Sequence, residues 1–150
     1  MKSLILSFAV ALISLTGFTQ KASYDSLLAK KLGADEYGMK SYVMVILVTG
    51  KTTITEKAKR DSLFAGHMGN MGRLAQEGKL VMAGPFGKND IQYRGVFIFD
   101  TPNVEDAKKW TATDPAVQAG IFDVVYIPWY GSAAIMEMNA LHEKIQKTSF

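Results

Sequence analysis

The chain contains no cysteine, and only 4 of its 150 residues are proline. Without thiols it can form no disulfide, iron–sulfur cluster, cysteine zinc site or thiol nucleophile. A strong charge of either sign is also absent, because 17 basic residues oppose 14 acidic ones and the formal net charge is +3. Such a small excess, with no cluster of Lys and Arg interleaved with aromatics, predicts no nucleic-acid partner. Chemistry must therefore come from histidine, carboxylates, hydroxyls or a bound cofactor.

The composition is that of an ordinary folded protein. Hydrophobic residues make up 48% of the chain and charged residues 21%, which excludes an intrinsically disordered segment as the main component. A length of 150 residues fits one domain with a real core. We therefore expect a single folded domain, whose elements follow one another along the chain.

The first nineteen residues have the pattern of a secretory signal peptide. Lys2 supplies a positive start, residues 4–15 form an apolar stretch, and the small residues Gly17 and Thr19 precede the expected cleavage site. The alternative is an uncleaved anchor, because residues 3–20 carry no charge and approach the roughly 18 residues needed to span a bilayer. We expect cleavage, a periplasmic or secreted protein, and no membrane attachment afterwards.

After a short helix and linker over residues 20–38, strand-like runs alternate with helical stretches. The predicted elements, in chain order, are strand 41–48, helix 56–76 with Thr53 or Thr55 as N-cap, strand 79–83, strand 95–99, helix 104–111 and strand 122–130. This order predicts an α+β, ferredoxin-like βαββαβ domain over residues 39–131, with an antiparallel sheet and both helices on one face. A C-terminal helix is predicted within residues 132–150.

The strand pattern predicts that both faces of the sheet are covered. Residues 43–48 and 96–99 are apolar at odd and even positions alike, whereas a sheet with one wet face alternates. Two helices cover only one face. We expect the second face to be buried in a sheet-to-sheet homodimer that resembles a closed barrel. The alternative cover is the C-terminal helix, whose apolar residues within 132–147 share one side.

The candidate site lies on the long first helix of this domain. At 100° per residue, His67 falls within the apolar stripe formed by residues such as Leu63, Met71 and Leu74. A buried imidazole needs a hydrogen-bond partner, which a core backbone carbonyl or a functional side chain could supply. Arg60 lies on the same side and can extend its charged head to water near the helix start.

A carboxylate that could serve His67 lies far along the chain. Asp114, followed by Pro115 and later by Gly120, describes a short helical turn with Asp as N-cap, and that interpretation needs no function. A carboxylate beside an imidazole also fixes its tautomer and stabilises the imidazolium that forms on proton uptake. Both interpretations of Asp114 remain open, because spacing alone cannot establish a contact with His67.

An ordered set of short motifs resembles the YCII-related (YciI-like) family. The motifs are His67-Met68, Glu-Gly-Lys-Leu at 77–80, Ala-Gly-Pro at 83–85, Arg94-Gly95, Glu-Asp-Ala at 105–107, Thr-Asp-Pro-Ala at 113–116, Ala119-Gly120 and Ile-Pro-Trp at 127–129. The resemblance implies a dimeric α+β barrel, akin to muconolactone isomerases and small cofactor-free monooxygenases, with His67 and Asp114 facing one cleft as the active-site pair. The signal segment and the tail after Gly131 depart from the family's short cytoplasmic members, so the substrate stays open.

The function predicted from these features is a cofactor-independent enzyme acting on a small organic molecule. His67 would be the general base and Asp114 its orienting partner, followed by elimination or isomerisation. Arg60, which could bind an anionic group, Met71 and Trp129 are the predicted substrate-binding residues. The alternative is a non-catalytic ligand-binding or accessory domain of the cell envelope. No metal site is predicted, because the two histidines and the scattered acids show no ligand spacing.

Overall fold

The computed structural model describes residues 23–148, so the predicted signal peptide lies outside the described residues. In chain order the elements are α1 (Ser26–Leu32), β1 (Met39–Thr49), α2 (Lys57–Gln76), β2 (Leu80–Pro85), β3 (Tyr93–Phe99), α3 (Val104–Thr111), α4 (Pro115–Gln118), β4 (Phe122–Ser132), a 3₁₀ helix (Ala133–Glu137) and α5 (Met138–Ile145). None of the helices between residues 23 and 148 combines the length and apolar character that a membrane crossing requires.

The four strands form one antiparallel sheet in the order β2-β3-β1-β4. Strands β1 and β4 pair along their whole length, from Met39 opposite Ser132 to Thr49 opposite Phe122. The predicted α+β, ferredoxin-like fold is confirmed. Helix α3 has the predicted bounds, and the Asn103 side chain caps it by accepting from the Glu105 N–H at 2.9 Å.

The larger core lies between the sheet and the helices α2 and α3. Alternate residues of β1 and β3 point to this face, which is the reason that both strands are apolar at odd positions. Leu74 from α2 and Ala107 from α3 pack onto them and are 2% and 0% exposed. The buried residues contributed by the sheet are Val43, Val45, Leu47, Leu80, Phe97 and Phe99.

The opposite face of the sheet, here called the second face, carries a smaller core. Tyr42, Val81 and Ile98 are buried there, and Ile135 and Met136 of the 3₁₀ helix pack against them. The C-terminal segment therefore covers part of the second face, as the alternative to the dimer predicted.

The β4 side of the second face is partly open to solvent. Val125 and Ile127, which lie opposite Ile46 and Met44 in the β1–β4 ladder, are 43% and 42% exposed. An intramolecular cover thus accounts for one part of the face only. The homodimer stays a prediction for the other part.

Two helix ends differ from expectation. Neither Thr53 nor Thr55 caps α2, because the backbone of the preceding loop is bonded to the start of β4 and the helix begins only after Glu56. The predicted C-terminal helix is not continuous either, since a 3₁₀ helix precedes α5. Its predicted buried side is wrong for α5, where Leu141 and Ile145 are 54% and 80% exposed.

Candidate active site

His67 lies on the side of α2 that faces the sheet, and it is 7% exposed. Three aromatic rings surround the imidazole. Its centroid lies 5.4 Å from that of Phe122, 6.0 Å from the stacked ring of Phe97 and 6.3 Å from Phe64, which meets it edge-on. The imidazole thus lies where the apolar stripe predicts it, among residues that offer no hydrogen bond.

The polar partner of His67 is Asp114, which is 0% exposed. The Nδ1–H of His67 donates to Asp114 Oδ2 at 2.6 Å. The other oxygen, Oδ1, accepts from the Ala116 N–H at 2.8 Å, so Asp114 is also the N-cap of α4. The two interpretations left open from the sequence therefore apply together, one to each carboxylate oxygen. The contact is observed, whereas the catalytic role of the pair stays a prediction.

A glycine lets α2 and α4 approach closely beside this pair. A Cβ atom added at Gly66 would lie 2.9 Å from Pro115 Cγ. That distance is shorter than the optimal separation of two non-bonded carbon atoms, which is about 3.5–4.0 Å. His67 follows Gly66, and Asp114 precedes Pro115. The absence of a side chain at Gly66 therefore allows the close helix crossing that brings His67 and Asp114 into contact.

The other ring nitrogen of His67, Nε2, has different surroundings from Nδ1. Within residues 23–148, Nε2 makes no hydrogen bond to protein, and no fully buried side-chain nitrogen or oxygen lacks a partner. Nε2 must therefore retain contact with solvent, in agreement with a 9% exposed side chain. With the proton on Nδ1 held by the carboxylate, the neutral ring presents its lone pair at Nε2.

An open cleft of about 330 Å³ lies beside two of the aromatic rings that surround His67. Its volume is at the lower end of the range for small-molecule sites, about 300–1,000 Å³. Phe64 and Phe122 line the cleft and also contact the imidazole, whereas His67 and Asp114 do not themselves line it. The pair thus lies directly behind the aromatic wall. The lining residues are Thr49, Thr52, Thr53, Ile54, Arg60, Phe64, Arg94, Ile121 and Phe122.

The predicted substrate-binding residues divide between three places. Arg60 lines the cleft beside His67. Met71 packs against the core under α2 and does not line the cleft. Trp129 lies on the second face, where its ring is 5.7 Å from that of Tyr42. The ladder register places it opposite Tyr42, so the sheet separates it from His67. The structure therefore brings only Arg60 to the site, and not Met71 or Trp129.

Arg94 is a site residue that the sequence pattern did not indicate. Its Nε donates to Thr49 Oγ1 at 2.6 Å, and Nη2 donates to Gln92 Oε1. Gln92 has a positive φ of 60°, a conformation uncommon outside glycine. The available signal was weak, namely an arginine next to a glycine at the start of a strand.

The histidine–carboxylate pair is not part of a metal-binding cluster in the described part of the chain. Between residues 23 and 148 there is no group of three or more His, Cys, Asp or Glu side chains that could hold a metal ion.

The fold and the site together define a small α+β protein with a buried histidine–carboxylate pair beside an open cleft. The family model described as YCII-related domain matches residues 42–130. That match spans more than half of the chain, and the chain belongs to the YCII-related family. The resemblance to this family that the sequence motifs indicated is thereby confirmed.

Comparison with individual proteins adds little. No curated protein matches the chain. Among solved structures, it is similar to 5-chloro-2-hydroxyhydroquinone dehydrochlorinase from Burkholderia phenoliruptrix AC1100 in complex with 2,5-dihydroxybenzoquinone, with 18% identity, a TM-score of 0.42, and coverage of 58% of this chain and 92% of that chain.

Proposed function

We propose that this protein is a cofactor-independent enzyme that moves a proton on a small organic substrate, with His67 as the general base and Asp114 as the residue that orients it. The observation that carries the proposal is the bond from His67 Nδ1 to Asp114 Oδ2, which leaves Nε2 in contact with solvent. A general base needs this arrangement, since one nitrogen is anchored and the other can reach a substrate proton.

The chemistry follows from the charges of the pair. When Nε2 takes a proton from a C–H or O–H bond, the ring becomes an imidazolium next to the Asp114 carboxylate. Among the residues described, Asp114 forms its ion pair with His67 and with no Lys or Arg, while its other oxygen caps α4. Returning the proton to a different substrate atom completes an isomerisation, and expulsion of a leaving group completes an elimination. We place the reacting atom at the Phe64–Phe122 edge of the cleft.

Incorporation of solvent deuterium tests the proposal while the natural substrate is still unidentified. A panel of small ketones, hydroxy acids and unsaturated acids is incubated in D₂O with the wild type, and exchange or turnover is followed by NMR. On any substrate found, His67→Gln should lower the rate by about 10²–10⁴-fold, the usual contribution of a general base. His142→Gln is the matched control, because His142 is exposed on α5. Equal rates for wild type and His67→Gln would remove the assignment.

A second candidate function is a non-catalytic ligand-binding domain of the cell envelope. The observation that favours it is the packing of three phenylalanine rings around His67, with the cleft lined by two of them and not by His67 itself. A ligand that binds in the cleft, shows no turnover, and binds His67→Gln as tightly as wild type would support this function over catalysis.

We also propose that the chain forms a homodimer through the open part of its second face. The exposed Val125 and Ile127, at the end that the C-terminal segment leaves uncovered, support this. Ile127→Lys should shift the protein to a monomer in analytical ultracentrifugation, whereas Ile145→Lys on the exposed side of α5 should not. A wild type that is monomeric at micromolar concentration would contradict the dimer.

Export is the remaining part of the proposed function. Its support is the signal pattern of residues 1–19, since the described residues begin beyond it. Cell fractionation, with N-terminal sequencing of the mature protein, should find the chain in the periplasm or medium and beginning near Gln20. Retention of the intact N-terminus in the membrane fraction would favour the uncleaved anchor instead.

A further inference from the structure

We infer that the cleft beside His67 selects a small organic carboxylate, held at its charged end by Arg60 and Arg94 and at its apolar end by Phe64 and Phe122. The inference rests on the proposed function in one respect only, namely that the substrate binds in this cleft, whose Phe64 and Phe122 wall contacts His67. Its own basis is the combination, in one cleft, of an aromatic wall with two guanidinium groups that have no carboxylate partner within residues 23–148.

The charge of the cleft comes from two separate elements. Arg60 lies in the first turn of α2 and Arg94 near the start of β3, and both line the cleft. Within residues 23–148 neither arginine forms an ion pair with Asp or Glu, whereas Arg73 is 2.6 Å from Glu77. Two guanidiniums that line one cleft favour the binding of an anion, and their planar donor sets match a carboxylate.

Arg94 is held in place for such a role. Two of its side-chain nitrogens donate to neighbouring residues, Nε to Thr49 and Nη2 to Gln92. A guanidinium carries five N–H donors, so the remaining ones stay available to a ligand. An arginine fixed by such bonds loses less conformational freedom on binding than a mobile one.

The other side of the cleft is apolar. The rings of Phe64 and Phe122 meet edge-on at 5.9 Å, and Phe64 is 38% exposed. Ile54 and Ile121 extend this surface. An inorganic anion would use only the arginines, whereas a carboxylate attached to an aromatic or unsaturated body would cover both surfaces. We therefore assign the cleft to the second class of ligand.

The loop along one side of the cleft is bonded to the connection between α4 and β4. The Gly50 N–H donates to Ile121 O at 2.8 Å, and the Thr52 N–H donates to Gly120 O at 3.0 Å. A side chain at Gly50 would collide with the backbone, since an added Cβ would meet Gly120 O. The cleft is therefore formed before a ligand arrives, which lowers the entropic cost of binding.

The test compares benzoate with benzamide, which has nearly the same shape and no charge. Binding to the full chain is measured by isothermal titration calorimetry, and its place by amide chemical shifts of Thr52, Ile121 and Phe122. Benzoate should bind at least about tenfold more tightly than benzamide, in line with hydrogen bonds to charged groups. Arg60→Gln should remove most of that difference.

The control variant is Arg73→Gln, on the same helix but outside the cleft, which should leave the benzoate affinity unchanged. Arg94→Gln should act like Arg60→Gln, but it also removes the bond to Thr49. Arg60→Gln is therefore decisive, because Arg60 makes no side-chain hydrogen bond within the described residues. The inference would be overturned by equal binding of benzoate and benzamide, or by no binding of benzoate at millimolar concentration. It would also be overturned by an Arg60→Gln variant that binds like wild type, or by chemical shift changes that map beside Trp129.

One more variant separates this inference from the proposed function. His67→Gln should keep the preference for benzoate over benzamide even where it abolishes turnover. If turnover proves independent of His67 while the charge preference persists, the proposed function fails and the carboxylate site stands. If turnover requires His67 while both probes bind alike, the reverse holds.

Discussion

The two faces of one sheet have different roles in this protein, although they are built from alternate residues of the same strands. The face under α2 and α3 holds the larger core, His67 and the wall of the cleft. The second face is covered in part by residues 133–137, which lie beyond the matched family domain at 42–130. The family domain thus contains the candidate site, whereas the C-terminal addition completes only the opposite side.

The largest effect is expected in the core of the helix-covered face. Phe99 is 0% exposed and packs edge-on against Trp110. Phe99→Ala should lower the free energy of unfolding by about 3–5 kcal/mol, measured by urea denaturation. Ile127→Ala should cost much less at protein concentrations low enough to dissociate the proposed dimer, because Ile127 is then 42% exposed. Comparable losses at the two positions would mean that both faces are equally buried in solution.

A smaller change concerns the crossing of α2 and α4. Gly66→Ala should destabilise the protein by roughly 1–3 kcal/mol, because its methyl group would collide with Pro115. It should also disturb the His67 ring resonances in NMR spectra. Gly69→Ala is the matched control, since an added Cβ there has open space, and it should stabilise α2 by up to about 1 kcal/mol. Two glycines with the same response would refute the packing explanation.

The cover of the second face can be tested at Ile135. Ile135→Ala removes apolar contact with the smaller core and should cost roughly 1–2 kcal/mol, less than in a fully buried site because Ile135 is only partly buried. Any activity found should be unchanged, since the sheet lies between Ile135 and His67. An activity loss as large as the stability loss would show that the two faces are coupled.

The smallest expected effect is a pH dependence in the linker before β1. The Tyr130 hydroxyl donates to Asp35, and this bond, followed by one from the Met39 N–H, lowers the pKa of Asp35. A lowered folded-state pKa contributes stability above the unfolded value of about 3.9, and that stability is lost as the pH falls through the folded value. Tyr130→Phe should therefore show a weaker loss of stability below pH of about 4 than wild type.

Urea denaturation at several acid pH values measures this difference. Tyr37→Phe is the control, because its side chain is 78% exposed and its backbone N–H, rather than its hydroxyl, bonds to Asp35. An identical acid dependence in Tyr130→Phe and wild type would show that the linker is not held to β4 through this bond.

Local patterns were enough to predict most of the fold. The bounds of α3, its Asn103 cap and the order of strands and helices all follow from apolar periodicity and capping residues. The N-cap of α2 did not follow, because the loop before it is held by bonds to Gly120 and Ile121, which lie far along the chain. Long-range backbone contacts of this kind leave no local signature.

The candidate site was predictable to a lesser extent. The position of His67 within the apolar stripe of its helix indicated it as a site residue. The family resemblance, and not the spacing, indicated Asp114 as its partner. Arg94 was not predicted as a site residue, because only the tertiary fold brings β3 next to the start of α2. Trp129 was expected at the site, but the ladder register places it on the second face.

The shared carboxylate of Asp114 has a mechanical consequence. One oxygen fixes the first turn of α4 and the other fixes the imidazole, so the short Asp114 side chain, bonded at both oxygens, links that turn to the ring. A shift of this backbone turn by a fraction of an ångström would therefore reorient Nε2 directly. We therefore expect altered reactivity of His67 wherever a substitution, a ligand or a crystal form displaces residues 113–116, even without contact to the histidine itself.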